Sequence, residues 1–161
     1  HANDSRASVI LYLKDGQWKK IYERYADDTN NLDDVYMYNP HCQTIWTDPN
    51  SELLWVGGGF GFFTLDNNQS PTAYSEIRII DEVGYFAYPY KVRGNSPRDL
   101  FILGAYGSLF HYNGKDWHWY SGLYNDACRS ISMDVTHDAV FIVGWDNSSF
   151  LSKAIVLRGY R

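Results

Sequence analysis

Tyrosines set among amide and carboxylate side chains are the residues of this chain best suited to chemistry. They fall in three groups: Tyr36, Tyr38, Asn39, Pro40 and His41; Tyr85, Phe86, Tyr88 and Pro89; and Tyr124, Asn125 and Asp126. An aromatic face covers the apolar C–H face of a sugar while amides and carboxylates at its rim take up the hydroxyls, so these groups suit a glycan or a protein segment. Tyr36, Tyr38, Tyr85, Tyr88, Tyr124 and Asn125 are therefore the candidate ligand-binding residues. The competing account is that the rings pack between sheets, because cores are built from the same side chains.

Other chemistries find little to work with. The oxygen-rich run Asp27, Asp28, Thr29, Asn30, Asn31, Leu32, Asp33, Asp34 puts a leucine where a calcium loop needs a ligand and has no glycine at the sharp turn, so it reads as a solvated loop. His41, His111, His118 and His137 lack the close paired spacing of zinc ligands. Asp48, Asp99, Asp126 and Asp134 show no pairing of the kind that acid/base hydrolysis requires. There is no Gly-x-Ser-x-Gly elbow, P-loop or dinucleotide fingerprint, so no catalytic set, metal or cofactor is expected. The net charge is -5 and the cations Arg93, Arg98, Lys115, Arg129, Lys153, Arg158 and Arg161 are scattered, which argues against nucleic acid as a partner. No run approaches the roughly 20 apolar residues of a membrane span. His1, Ala2, Asn3, Asp4, Ser5 and Arg6 form no signal peptide, so the chain reads as cytosolic, as a processed form or as a piece of something longer.

The elements that must position the tyrosines announce themselves by repetition. An apolar run closing on glycine occurs three times, as Leu53-Leu54-Trp55-Val56-Gly57, Leu100-Phe101-Ile102-Leu103-Gly104 and Val140-Phe141-Ile142-Val143-Gly144. The glycines are 47 (104 minus 57) and 40 (144 minus 104) residues apart. With 17% aromatic residues, several short strands per unit and almost no helical signal, a period of this size predicts stacked four-stranded antiparallel sheets, and of such folds a β-propeller fits best.

The clearest unit spans 88–121, with strands expected at 90–93, 99–103, 108–112 and 117–120, joined through Asn95-Ser96-Pro97, Gly104-Ala105-Tyr106-Gly107 and Asn113-Gly114. A second unit covers 42–80, a three-stranded one 128–161, and a two-stranded one 1–26, whose strands 9–13 and 18–22 flank Lys14-Asp15-Gly16. The expected total is 13 strands in one segment of an incomplete ring. Such a segment needs further blades or a second copy of the chain as its partner. Cys42 precedes its glycine by 15 residues (57 minus 42) and Cys128 by 16 (144 minus 128). Matching points on non-neighbouring sheets lie beyond the ~7 Å Cα limit of a disulfide, so two free thiols are expected.

The run from Asp99 to Trp117, with Gly104-Ala105-Tyr106-Gly107 and His111-Tyr112-Asn113-Gly114 inside it, resembles the blade repeat of secreted bacterial β-propeller proteins. Lys14-Asp15-Gly16-Gln17-Trp18 and Gly57-Gly58-Gly59-Phe60-Gly61 resemble parts of it. The resemblance implies export from the cell, an extracellular or periplasmic place, and a binding or scaffold role without a shared catalytic set. Asp15-Gly16-Gln17-Trp18 is also similar to the Asp-box turn of sialidase-like propellers, with Asp15 as turn acceptor, Gly16 at positive φ and Trp18 packed between blades. A glycoside-processing enzyme of that architecture is one alternative, separable from a binder by an arginine cluster or carboxylate pair at the channel mouth. A propeller fragment that self-assembles into a full ring is another.

Overall fold

The computed structural model describes residues 7–25, 42–48, 50, 53–58, 61–66, 74–77, 89–121, 123, 128–148 and 152–160. These form thirteen strands: β1 (Ala7–Lys14), β2 (Gln17–Tyr25), β3 (Cys42–Thr47), β4 (Leu53–Gly58), β5 (Gly61–Asp66), β6 (Tyr74–Ile77), β7 (Pro89–Ser96), β8 (Asp99–Gly104), β9 (Leu109–Tyr112), β10 (Trp117–Trp119), β11 (Cys128–Val135), β12 (Ala139–Asp146) and β13 (Lys153–Tyr160). A single 3-10 turn, Ala105–Gly107, follows β8. The strands make four antiparallel meanders, β1-β2, β3-β4-β5-β6, β7-β8-β9-β10 and β11-β12-β13. The all-β class is as the composition implied. None of the four sheets closes on itself.

The third sheet shows why the apolar runs are continuous rather than alternating. Its central strand β8 is covered on both faces. Val92, Ile102 and Phe110 form one cross-strand ladder and, with Leu100, pack against Trp55 of the second sheet. Phe101, Leu103 and Leu109 point the other way and meet Met133, Val140 and Ile142 of the fourth. Full burial of side chains such as Phe110, Leu100 and Ile102 contributes about 1.5–3 kcal/mol each, so this double sandwich is the energetic centre of the described residues.

The three larger sheets share one local device. Cys42 pairs with Gly58, Pro89 with Gly104 and Ser130 with Gly144, and directly after each pair the register shifts by one residue. The extra residue is Gln43, Tyr90 or Ile131, each a β-bulge that raises local twist beside the glycine.

That shared bulge corrects the register of the repeat. The counterpart of Gly104 is Gly58, not Gly57, so the first interval is 46 (104 minus 58). Val56, Ile102 and Ile142 then stand two residues before their glycines, exposed by 1%, 0% and 4%. Cys42 and Cys128 are accordingly not counterparts, since Cys42 faces Gly58 whereas Cys128 faces Asp146. They lie on β3 and β11, strands that both pack along β7.

One turn differs from expectation. Strand β7 continues through Asn95 and Ser96, and the turn falls at Pro97 and Arg98. The cause is a second bulge at Asn95, where a Cβ on Gly94 would run into Leu100 and the Asp99 backbone. Asp15 and Gly16 both take positive φ, 53° and 75°, as a two-residue hairpin needs. Trp18, expected between sheets, is 67% exposed.

Candidate functional site

Neighbouring sheets meet along their first strands. The Val92 N–H donates to Thr44 Oγ1 at 3.2 Å, and Arg93 Nη1 donates to the Ile45 carbonyl at 3.3 Å. Both numbers advance together, so β3 and β7 run side by side in the same direction. At the far end of β7, Asn95 Nδ2 reaches the Thr136 carbonyl just past the end of β11, at 3.2 Å. These contacts join residues 48, 48 and 41 apart, which tracks the sequence repeat of 46 and 40. Equivalent segments of successive repeats therefore lie next to one another.

Gly57 is what lets the second and third sheets come so close. A Cβ there would stand 2.7 Å from Thr44 Cγ2 and 3.2 Å from both Pro89 Cβ and Val92 Cγ2. The surface made by β3, β7 and β11 is a tight wall, and the starts of these strands, Cys42, Pro89 and Cys128, mark one end of it.

Tyr36, Tyr38, Tyr85, Tyr88, Tyr124 and Asn125 lie outside the described residues, as does the acidic run 27–34. The chain enters β3, β7 and β11 directly from the segments that carry them. One ring at this end is described, and sequence reasoning had counted it only as strand: Tyr90, the extra residue of its bulge, is 40% exposed. Only the bulge, invisible in the residue pattern, turns it out of the ladder.

The opposite end carries a different set of groups. Asn95 Nδ2 donates to Asp99 Oδ2 at 3.1 Å, and His111 Nε2 lies 2.9 Å from Asp99 Oδ1. The His111 ring stacks on Phe101, with centroids 4.1 Å apart and planes within 4°. Asp99 thus ties the bulged end of β7 to β9, and Asn95 carries the tie on to the fourth sheet. A cavity of about 310 Å³ opens beside it, lined by Trp55, Arg98, Tyr112, Lys115 and Trp117. Trp117 packs against the Trp55 cluster, as a ring between sheets should. The Asn113 side chain holds the cavity's rim by accepting from the N–H groups of Lys115 and Asp116 at 2.9 and 2.8 Å. The cavity depends on Trp55 and Trp117 meeting across two sheets, which no local motif announces.

No family model, no curated protein and no solved structure matches this chain. Its function has to be argued from its own residues. Among the described residues no three His, Cys, Asp or Glu side chains gather where they could hold a metal ion, and no helix is long and apolar enough to cross a membrane. At Asp146 the hydroxyl and the N–H of Ser148 hold the carboxyl below the usual aspartate range. Asp146 closes β12, where it pairs with Cys128 at the start of β11.

Proposed function

We propose that this chain is a non-catalytic binding module of an exported protein, built on the plan of a β-propeller. Its ligand is a glycan or a protein segment held by the tyrosine-bearing residues that lead into the first strand of each sheet. The observation that carries the reading is the side-by-side course of β3 and β7, with β11 meeting β7 at the matching end. Three segments rich in tyrosine enter one end of a rigid wall, so their rings act on a common ligand rather than on three separate ones. Sheets that meet along their first strands are also the plan on which propellers collect ligands over their axis. The exposed Tyr90 adds a ring at that same end.

The test is a glycan array followed by calorimetry on the best oligosaccharide, with Tyr36→Ala, Tyr85→Ala, Tyr90→Ala and Tyr124→Ala. A buried aromatic contact in a binding site contributes at least 1–2 kcal/mol, so each substitution lowers affinity by roughly five- to thirtyfold while the thermal midpoint stays put. Affinity unchanged in all four variants refutes the shared site.

A further inference from the structure

The cavity of about 310 Å³ lies where the second and third sheets meet, and its size is that of a small-molecule site. Its walls are aromatic. Trp55, 5% exposed, comes from β4, while Tyr112 and Trp117 pair directly across β9 and β10 with ring centroids 5.0 Å apart. Trp55 belongs to the buried cluster of Val92, Leu100, Ile102 and Phe110, and Tyr112 and Trp117 pack against it. The core therefore sets all three rings in place before any ligand arrives.

Two cations, Arg98 and Lys115, line the same cavity. The Arg98 stem lies against the turn between β9 and β10, since a Cβ added to Gly114 would meet Arg98 Cβ at 2.8 Å and Cγ at 3.3 Å. Its backbone is held as well, the Arg98 N–H donating to Ser96 Oγ at 3.2 Å. Among the described residues no carboxylate pairs with its guanidinium. Lys115, by contrast, has Asp116 Oδ2 3.8 Å from its Nζ, with both side chains largely in solvent. Arg98 is the stronger anchor for an anion.

We propose that this cavity binds a small aromatic carboxylate, with its ring among Trp55, Tyr112 and Trp117 and its carboxylate on Arg98. Aromatic walls beside a guanidinium fit both halves of such a molecule. A flat ring gains from stacked or edge-on contact with other rings, and a planar carboxylate accepts two parallel N–H groups from one guanidinium. The lining also favours an aromatic acid over an acidic sugar. A sugar's hydroxyls need acceptors, yet the described lining side chains include no carboxylate and no amide, and the Tyr112 hydroxyl is their one oxygen. The cavity is separate from the tyrosine-bearing end, so failed glycan binding there leaves this proposal standing.

NMR titration of the protein with naphthylacetate tests it, alongside naphthylacetamide, which has the same shape without the charge, and glucuronate, an acidic sugar. The acid is expected to bind with a Kd of about 1 mM or tighter, shifting the backbone N–H signals of Gly114 and Lys115 and the indole N–H of Trp117. The amide should bind about tenfold more weakly, because it forfeits the charge-assisted pair, and glucuronate more weakly than the acid. Arg98→Gln keeps the stem that packs on Gly114 and removes the charge, so the acid should fall to the level of the amide while circular dichroism shows the fold retained. Any one of four results overturns the proposal: no binding of naphthylacetate, equal affinity for acid and amide, glucuronate bound as tightly as the acid, or an acid preference that survives Arg98→Gln. The first three are read on the wild type, so they decide the matter even where the variant fails to fold.

Discussion

Placing a methyl group at Gly57 tests the closest contact in the stack. The new Cβ would lie 2.7 Å from Thr44 Cγ2, well inside van der Waals contact, and 3.2 Å from Pro89 Cβ and Val92 Cγ2. Thr44 cannot simply swing away, because its hydroxyl accepts the Val92 N–H at 3.2 Å and its β-branched side chain has few rotamers. Overpacking of this sort costs about 1–3 kcal/mol. For a domain of this size a loss of about 2 kcal/mol lowers the melting temperature by roughly 4–8 °C. Thr44→Ser supplies the discriminating partner, since it deletes Cγ2 and keeps the hydroxyl. Alone it costs roughly 1 kcal/mol for the lost buried methyl. Independent effects would sum to about 3 kcal/mol, whereas the Gly57→Ala methyl fills the space that Thr44→Ser vacates, so the double variant should lose only about 1–1.5 kcal/mol. Gly159→Ala is the control, because nothing lies within 4 Å of the added atom. Urea unfolding of the four proteins gives the cycle. Strict additivity, or a Gly57→Ala loss no larger than that of Gly159→Ala, refutes the claim that this glycine sets the spacing of the sheets.

Two further outcomes follow from local geometry. Gly114 has φ +92° and an added Cβ would meet Arg98 Cβ at 2.8 Å, whereas Gly16 has φ +75° with open space around it. Alanine at Gly16 should cost about 1 kcal/mol of backbone strain and alanine at Gly114 about 2–3, compared by thermal melts, and equal losses would remove the Arg98 contact from the account. Because the Asp146 pKa is lowered in the folded state by Ser148, its contribution to stability is present above the unfolded-state pKa and fades as pH falls through the folded one. Ser148→Ala removes the hydroxyl but leaves the N–H, so an NMR titration should show the Asp146 midpoint move up toward the ordinary value; an unmoved midpoint assigns the whole effect to the backbone.

The sequence revealed the sheets more readily than their register. The apolar runs ending in glycine are legible because each becomes a central strand, and in β4 and β8 that strand is covered on both faces, which permits no polar alternation. Asp15-Gly16 and Asn113-Gly114 were legible as turns because positive φ selects Gly16 and Gly114, while the Asn113 side chain accepts from the turn's own N–H groups. The register was not legible at Gly57, Gly58 and Gly59, since three glycines in a row carry no side chain to say which one faces Cys42. Asn95 and Ser96 look like turn residues, yet Asn95 is a bulge whose side chain bonds Asp99 and Thr136, and Ser96 pairs with Asp99, so both belong to β7. Trp18 follows a hairpin turn much as Trp117 does, yet Trp117 packs between sheets and Trp18 stands open, because burial depends on what lies opposite and not on the turn that precedes it.

The bulge that recurs beside each glycine connects the architecture to the proposed binding role. It adds one residue at the second position of β3 and β7 and at the fourth of β11, raising the twist of the strand at that point. Beyond that point the wall tolerates little change, since Gly57, Thr44 and Val92 already leave no room for a methyl group. On the proposed reading the entry segments carry ligand contacts while the wall carries stability. The two properties should then separate under mutation. Substitutions at Tyr36, Tyr85 or Tyr124 change affinity at constant melting temperature, and Gly57→Ala lowers the melting temperature while any protein still folded binds as before.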